Sequence, residues 1–126
     1  MANWSSTKPW SEHGNSFDSL IGEYLRSIEF QEDCVYVHFG GGTLFAYNPP
    51  TVTADGRAYC WGDDGYRDAL CGRICTKLRA AQETDEEIVL ELSDGSNLSI
   101  SLRPDPTSGP EAAELSEGND TTIWQF

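Results

Sequence analysis

The sequence predicts a mainly β protein (β or α+β), in which two similar antiparallel β-meanders pack as a sandwich or roll with one or two short helices. Three observations support this fold class. Apolar and polar residues alternate with a period of two through residues 35–47 and 88–102. Glycine, proline and aspartate cluster between the alternating segments, as is typical of turns. Finally, residues 70–105 repeat the pattern of residues 20–50 in altered form.

The N-terminal part of the chain is the least regular. Residues 1–14 contain Trp4 and Trp10 among polar residues without any period, so we expect an arm that precedes one β-rich domain at 15–126. A short helical turn or loop, with Gly22 as its possible end, should follow. The next segment, EYLRSIEF (23–30), alternates, but each of its faces mixes polar and apolar residues, so its buried face is ambiguous.

A β-hairpin is the clearest local prediction. In CVYVHFG, alternate positions from Val35 to Phe39 are apolar and share one face. The glycines at 40–42 can adopt the positive φ angles of a tight turn. The segment TLFAYN then returns, with Thr43, Phe45 and Tyr47 on one face.

The segment between the two repeats contains several short elements. Prolines 49 and 50 should end the preceding strand, since neither can donate to a ladder. ADG at 54–56 is a turn, and RAYCW at 57–61 is a possible short strand. DDGYRDALCG is expected to form a two-turn helix that Asp63 or Asp64 caps and Gly72 ends.

The repeat can be aligned by eye. Leu20 and Gly22 match Leu70 and Gly72, and an insertion of about three residues then brings the strand at 35–39 onto 88–92. The remaining matches place Gly42, Phe45 and Tyr47 on Gly95, Leu98 and Ile100. A three-stranded meander is marginal alone because its apolar face needs a second layer, and a second copy would supply one.

The C-terminal segment should complete the sheet. EAAEL at 111–115 is predicted as a short strand or a helical turn, and SEGND at 116–120 as a turn. The last six residues, TTIWQF, have the composition of a strand, and we expect that strand to close or flank the sheet.

Cysteine usage and apolar runs suggest a compartment. Cys34, Cys60, Cys71 and Cys75 are expected to be reduced and mostly buried, since no N-terminal export signal is recognisable and no redox or zinc spacing occurs. No apolar run approaches the length of a membrane span. A cytoplasmic location is therefore expected, with no membrane association.

The net charge of −13 lies mainly in the second part of the chain. Residues 1–80 carry seven basic and ten acidic side chains, whereas residues 81–126 carry one basic and eleven acidic. Such a field repels nucleic acid and anionic membranes and attracts basic proteins, although acidity can also simply maintain solubility. No nucleic-acid partner is expected, and the oligomeric state stays open.

Catalytic, cofactor and metal patterns are not recognisable. His38 has no evident nucleophile or orienting acid near it, and the glycines at 40–42 lack the lysine and helix of a phosphate loop. The acidic runs do not follow the calcium-loop spacing. We therefore expect neither an enzyme nor a metal or cofactor site, and we expect the basic residues at 67–79 to pair with acids.

Loop aromatics and carboxylates provide the candidate partner-binding site. Trp61 stands beside Asp63 and Asp64, which combines an interface anchor with negative charge. A second acidic cluster is expected at the exposed tip between two strands, and its members are Glu83, Asp85, Glu86 and Glu87.

In size, charge and β-rich pattern, the chain resembles the small acidic immunity proteins of bacterial toxin–immunity systems. That resemblance involves no shared motif, so it transfers no residue roles. It implies an inhibitor that binds and neutralises a basic, possibly nuclease-type toxin through an acidic surface. The alternative is a bacterial domain that binds a small ligand or forms a homo-oligomer.

Overall fold

The computed structural model describes residues 16–103, 112–117 and 123–126. They form two five-stranded antiparallel sheets. The strands of the first sheet are, in spatial order, β1 (Leu25–Phe30), β2 (Val35–Phe39), β3 (Gly42–Ala46), β9 (Ala113–Glu117) and β10 (Ile123–Gln125). Those of the second are β5 (Arg57–Tyr59), β4 (Thr51–Ala54), β8 (Asn97–Ser101), β7 (Glu87–Leu92) and β6 (Leu78–Glu83).

The described helical structure is limited to a 3-10 turn at Asp18–Leu20 and one short helix, α1 (Tyr66–Cys71). The mainly β fold class is therefore confirmed. The segment EAAEL contributes to strand β9, and the final strand β10 flanks the first sheet at its edge, as predicted. The predicted arm at 1–14 lies outside the described residues, and so does most of the predicted turn at 116–120.

Both sheets contribute to one hydrophobic core. Alternate residues of β2 and β7 point inward and are fully or almost fully buried. They belong to the same buried cluster as Leu44 and Leu115 of the first sheet and Leu98 of the second. The two sheets are therefore held together by their apolar faces, as expected of paired meanders.

The two copies match at a constant separation of 53 residues from Phe17 and Leu70 onward. The backbone hydrogen bonds show this directly. The N–H of Gly22 donates to the carbonyl of Leu78 at 2.8 Å, and the N–H of Cys75 donates to the carbonyl of Leu25 at 2.8 Å. The residue that matches Gly22 is thus Cys75, not Gly72, and no three-residue insertion separates the copies.

The same separation relates two β-bulges. The register between β1 and β2 shifts at Arg26, and the register between β6 and β7 shifts at Arg79. A bulge adds one residue to one strand and so reverses which side chains face the core beyond it. Leu25 is consequently buried and Ile28 half-buried on the same face, which explains why the alternation in 23–30 is ambiguous.

The separation changes to 54 in the third strand because the two hairpin turns differ in length. Residues 40–41 connect β2 to β3, whereas residues 93–95 precede the corresponding strand. Leu98 therefore matches Leu44, which is buried, and not Phe45 as predicted. The remaining matches in that strand shift in the same way.

Each copy donates a hairpin to the sheet of the other copy. The hairpin of β4 and β5 follows β3 in sequence but pairs with β8, in the second sheet. The hairpin of β9 and β10 follows β8 but pairs with β3, in the first sheet. The two halves of the chain are therefore interlocked through exchanged hairpins.

The cysteines differ from the prediction in their burial. All four are free, but only Cys34 is buried, and Cys60, Cys71 and Cys75 are exposed, so the expectation of mostly buried thiols is wrong. Burial raises the pKa of the Cys34 thiol, with a smaller contribution from the neighbouring Asp33. Among the described residues, no helix is both long and apolar enough to cross a bilayer.

Candidate functional site

The first part of the candidate site is the acidic loop, defined here as residues 61–68. Its start is fixed by a tight turn in which Asp63 and Cys60 bond twice. The Asp63 N–H donates to the Cys60 carbonyl at 2.9 Å, and the Cys60 N–H donates to Asp63 Oδ2 at 2.8 Å. The predicted cap is wrong: the residue that precedes α1 is Gly65, with φ 84°, and no side chain caps the helix. Asp63 stabilises the preceding turn instead.

Trp61 is exposed in this loop but rigidly supported. Its side chain is 39% accessible, and its ring packs edge-on against Tyr66 with centroids 5.8 Å apart. The Tyr66 hydroxyl is buried and donates to the Pro50 carbonyl at 2.6 Å. Burial raises the Tyr66 pKa far above its ordinary value, so this hydroxyl remains protonated. The tryptophan therefore packs on a ring that is buried and anchored by a hydrogen bond.

The acidic loop lines an open depression of about 380 Å³. Three carboxylates border it, from Asp63, Asp64 and Asp68, against one guanidinium, from Arg67. That guanidinium lies 4.9 Å from the centre of the Phe30 ring, and the arginine forms no ion pair among the described residues. The depression thus combines an exposed aromatic ring with an excess of negative charge.

Glu83 does not lie at an exposed strand tip, and this prediction is wrong. Its side chain is 3% accessible, and Oε1 accepts a buried hydrogen bond of 3.0 Å from the Ser16 N–H. The bulge at Arg79 turns position 83 toward the core, as the bulge at Arg26 does for Phe30 in the first copy. Glu83 is a structural carboxylate.

The remaining three residues of the second cluster are exposed, as predicted. Asp85 and Glu86 form the two-residue turn between β6 and β7. The Thr84 hydroxyl accepts from the N–H groups of Glu86 and Glu87, each at 3.1 Å. Glu86 also pairs with Arg103 at 3.2 Å, with both side chains largely exposed. These hydrogen bonds hold the backbone of the turn, from which the three carboxylates extend into solvent.

A second open depression, of about 420 Å³, lies beside this turn. It is lined by Pro49, Thr51, Glu86, Glu87, Ser99, Ser101 and Arg103. Two contacts join residues close to the two depressions: the Pro50 carbonyl accepts from Tyr66, which lines the first, and Thr51 Oγ1, which lines the second, lies 3.8 Å from Cys60 Sγ. Each of the two clusters predicted from the sequence thus has members that line one of the depressions.

We call these two depressions with Asp85 the acidic surface. Sequence reasoning selected five of its exposed residues, Trp61, Asp63, Asp64, Glu86 and Glu87, and also Asp85 at the turn. It did not select Thr51, Ser99 or Arg103, because nothing local shows that β4, β8 and the tip between β6 and β7 would meet.

The basic segment at 67–79 leaves little positive charge unengaged. Arg73 pairs with Asp94 at 2.7 Å, and Arg79 pairs with a carboxylate of β7 at 3.2 Å. Arg67 and Lys77 instead lie over aromatic rings. The predicted pairing with acids is therefore confirmed for Arg73 and Arg79 and wrong for Arg67 and Lys77.

His38 has partners that the sequence did not reveal. Its Nδ1 lies 2.9 Å from Thr43 Oγ1, and its Nε2 lies 3.0 Å from Glu29 Oε1. These partners come from the flanking strands of the first sheet, where only strand pairing places them. The bonds link three strands on a partly exposed face, and neither depression of the acidic surface includes His38.

Metal chemistry has no candidate ligand set in the described part of the chain, where no three histidine, cysteine, aspartate or glutamate residues are grouped to hold an ion. Comparison with known proteins found no matching family model, no match among curated proteins and no match among solved structures.

Proposed function

We propose that this protein is a bacterial, cytoplasmic inhibitor of the immunity type, which neutralises a basic toxin domain by binding it through the acidic surface. One observation carries the proposal: an exposed, supported tryptophan and five exposed carboxylates line two open depressions, and a sixth carboxylate, that of Asp85, stands in the turn beside the second. The carboxylates belong to Asp63, Asp64, Asp68, Asp85, Glu86 and Glu87.

The charges suit a cationic partner. Only two guanidiniums, those of Arg67 and Arg103, lie on the acidic surface, and the second already pairs with Glu86. Complementary charge across an interface accelerates encounter and makes the rate depend on salt. An enzyme that acts on nucleic acid presents lysine and arginine to phosphates, and these same groups would pair with the carboxylates. Binding would then exclude the nucleic acid.

The hydrogen-bonded loops of the acidic surface should also lengthen the lifetime of the complex, in addition to the fast association that charge provides. The acidic loop and the tip at 84–87 are closed by their own hydrogen bonds, and Trp61 rests on Tyr66. Because these groups are already ordered, binding costs little additional conformational entropy. Tryptophan in a desolvated contact is among the residues that contribute most to interface stability.

A small-molecule site is the less favoured interpretation. Sites for small ligands are concave and mostly apolar, with a few placed polar groups. Both depressions are open to solvent; four charged residues line the first together with Trp61 and Tyr66, and charged or hydroxyl side chains form most of the second. These features suit a protein surface better.

The first experiment tests the function itself. The gene adjacent to the one encoding this chain is expressed in a bacterium, alone and together with this chain. We expect growth arrest alone, growth restored by co-expression, and a complex whose association slows as salt rises from 50 to 500 mM. A harmless neighbour, or arrest that co-expression does not relieve, would refute the proposal.

The second experiment tests the surface. Trp61→Ala should weaken binding to that toxin domain by about 30-fold, corresponding to a hot-spot loss of about 2 kcal/mol. The pair Asp63→Asn and Asp64→Asn should mainly slow association and reduce its salt dependence.

A matched control removes the same charge elsewhere. Glu32→Gln with Asp33→Asn neutralises two exposed carboxylates in the β1–β2 turn, which line neither depression, and should change binding less than twofold. Equal effects of the two pairs would mean that net charge, not this surface, determines binding. Glu83 is left unchanged, because altering it would disturb folding.

A further inference from the structure

We infer that the two halves of the chain, residues 1–62 and 63–126, are obligate folding partners: neither half folds alone, and a chain cut between them persists as a non-covalent pair. This inference concerns folding and does not depend on the proposed function. It rests on the hairpin exchange, on the division of the core and on the single exposed connection between the halves.

The hairpin exchange leaves each half with an incomplete sheet. Strand β3 of the first half pairs along Gly42–Ala46 with β9 of the second half. Strand β8 of the second half pairs along 97–99 with β4 of the first half. In an isolated half, the meander would present an unpaired edge, and its hairpin would lack the strand with which it pairs in the full chain.

The core is divided almost equally. Among the described residues of the buried cluster, nine lie before residue 62 and ten lie after it. Each half therefore holds one apolar face and lacks the layer that covers it. A single meander with an uncovered face and a detached hairpin buries too little apolar surface to offset its conformational entropy.

Beside the two strand exchanges, backbone hydrogen bonds around the bridge of Tyr24 with Lys77 join the halves, among them those from Gly22 to Leu78 and from Cys75 to Leu25. No disulfide links them, since all four cysteines are free. Along the chain the halves are connected through residues 60–65, which are exposed. A cut at this point breaks no strand and removes no core residue.

The test inserts a protease recognition sequence between Gly62 and Asp63 of the full chain and, in a second version, between Asp64 and Gly65. After cleavage of the folded protein, we expect a single 1:1 species with an unchanged circular dichroism spectrum. Its unfolding should become bimolecular, so that each tenfold dilution lowers its apparent stability by about 1.4 kcal/mol. The uncut versions should show no such dilution effect.

Disulfides identify which strands hold the pieces together. In a background without the four native cysteines, Thr43→Cys with Ser116→Cys joins directly opposed positions of β3 and β9. The cut protein should then stay one band on a denaturing gel until reductant is added. The control, Tyr36→Cys with Phe45→Cys, joins opposed positions within the first half and should release two bands.

Two outcomes would overturn the inference. One is separation of the cut pieces under native conditions, with either piece retaining a cooperative unfolding transition. The other is formation of the control disulfide while the disulfide between β3 and β9 fails to form, since that would exclude the exchange itself.

Discussion

The two copies within this chain, residues 17–46 and 70–100, share a backbone plan but not its side chains. Both begin with a helical turn, carry a bulge at the same place, in Arg26 and Arg79, and continue as a three-stranded meander. They differ where the first copy has Phe30 and the second has Glu83 at the corresponding inward position. The two copies thus share the positions of their bulges and their strand pairing, although chemically different side chains stand at equivalent positions.

The largest expected effect tests whether the copies contribute equally to stability. Leu44 and Leu98 are matched and both fully buried. Replacing either by alanine should lower the free energy of unfolding by about 2–5 kcal/mol, because each change leaves a cavity. Denaturant unfolding measures both, and the two losses should agree within about 1 kcal/mol.

The control for that pair is Ser99→Ala on the outer face of the same strand, which should change stability by less than about 0.5 kcal/mol. A loss at Leu44 several times larger than at Leu98 would show that one copy dominates the core.

The next prediction concerns the inward carboxylate. Glu83→Ala should cost about 1.5–3 kcal/mol, because the buried Ser16 N–H would lose a charged acceptor. Glu83→Phe, which introduces the side chain of the first copy, should not restore stability for the same reason. The exposed Glu87→Ala serves as the control and should be near neutral. Full stability in the phenylalanine variant would mean that the two positions are interchangeable.

A smaller change in stability is expected at Gly22 and Cys75, which stand at equivalent positions in the two copies. Glycine at position 75 should increase stability, which is unusual for a substitution by glycine. Both residues have positive φ, 89° and 79°, and a side chain in this region is strained. Cys75→Gly should therefore raise the free energy of unfolding by about 0.5–1 kcal/mol, and Gly22→Ala should lower it by about 1 kcal/mol. A Cβ at Gly22 meets no atom, so strain alone would account for the loss.

The control is Cys71→Gly in the last residue of α1, where glycine should destabilise by about 0.5–1 kcal/mol. The same substitution is thus expected to have opposite signs at two positions. Destabilisation at both would argue against a left-handed backbone at Cys75.

The last prediction is a small pH dependence of stability that arises from Asp94 in the second copy. Burial alone would raise the pKa of Asp94, but hydrogen bonds from Ser96 and the nearby Arg73 outweigh it, so the pKa is lowered from 3.8. A lowered pKa stabilises the fold above the ordinary value, and this contribution disappears as the pH falls through the lowered one. The matched turn in the first copy, at 40–41, contains only glycine.

Asp94→Asn should therefore reduce stability by about 1 kcal/mol or less at pH 7, as expected for a partly exposed pair. The free energies of unfolding of wild type and variant, measured from pH 2 to 7, should become equal at the acid end. Curves that stay parallel throughout would show that the loss comes from packing and not from the charge.

Local patterns account for what could be predicted. The hairpin of β2 and β3, the strand β5 and the flanking strand β10 follow from alternation and turn residues. The acidic loop was also recognisable, because Trp61, Asp63 and Asp64 are adjacent in sequence and lie in a turn. That these residues bind a partner stays a prediction.

Features that depend on contacts between residues distant in sequence could not be predicted. A single added residue at Arg79 reverses the faces of β6, and this turned Glu83 from an expected surface charge into a core carboxylate. The matching of Gly22 with Cys75 was hidden because the second residue is not glycine. The contact of Pro50 with Tyr66 joins residues 16 positions apart, and no local pattern indicates it.

Alternation and composition were enough to predict strands in two similar units and a strongly acidic second part. Which sheet receives each hairpin, which carboxylates reach solvent and which residues line each depression depend on tertiary contacts. The two kinds of feature differ in their range along the chain. Alternation and turn chemistry act between neighbours in sequence, whereas a hairpin's choice of edge depends on which open strand the whole assembly places within its reach.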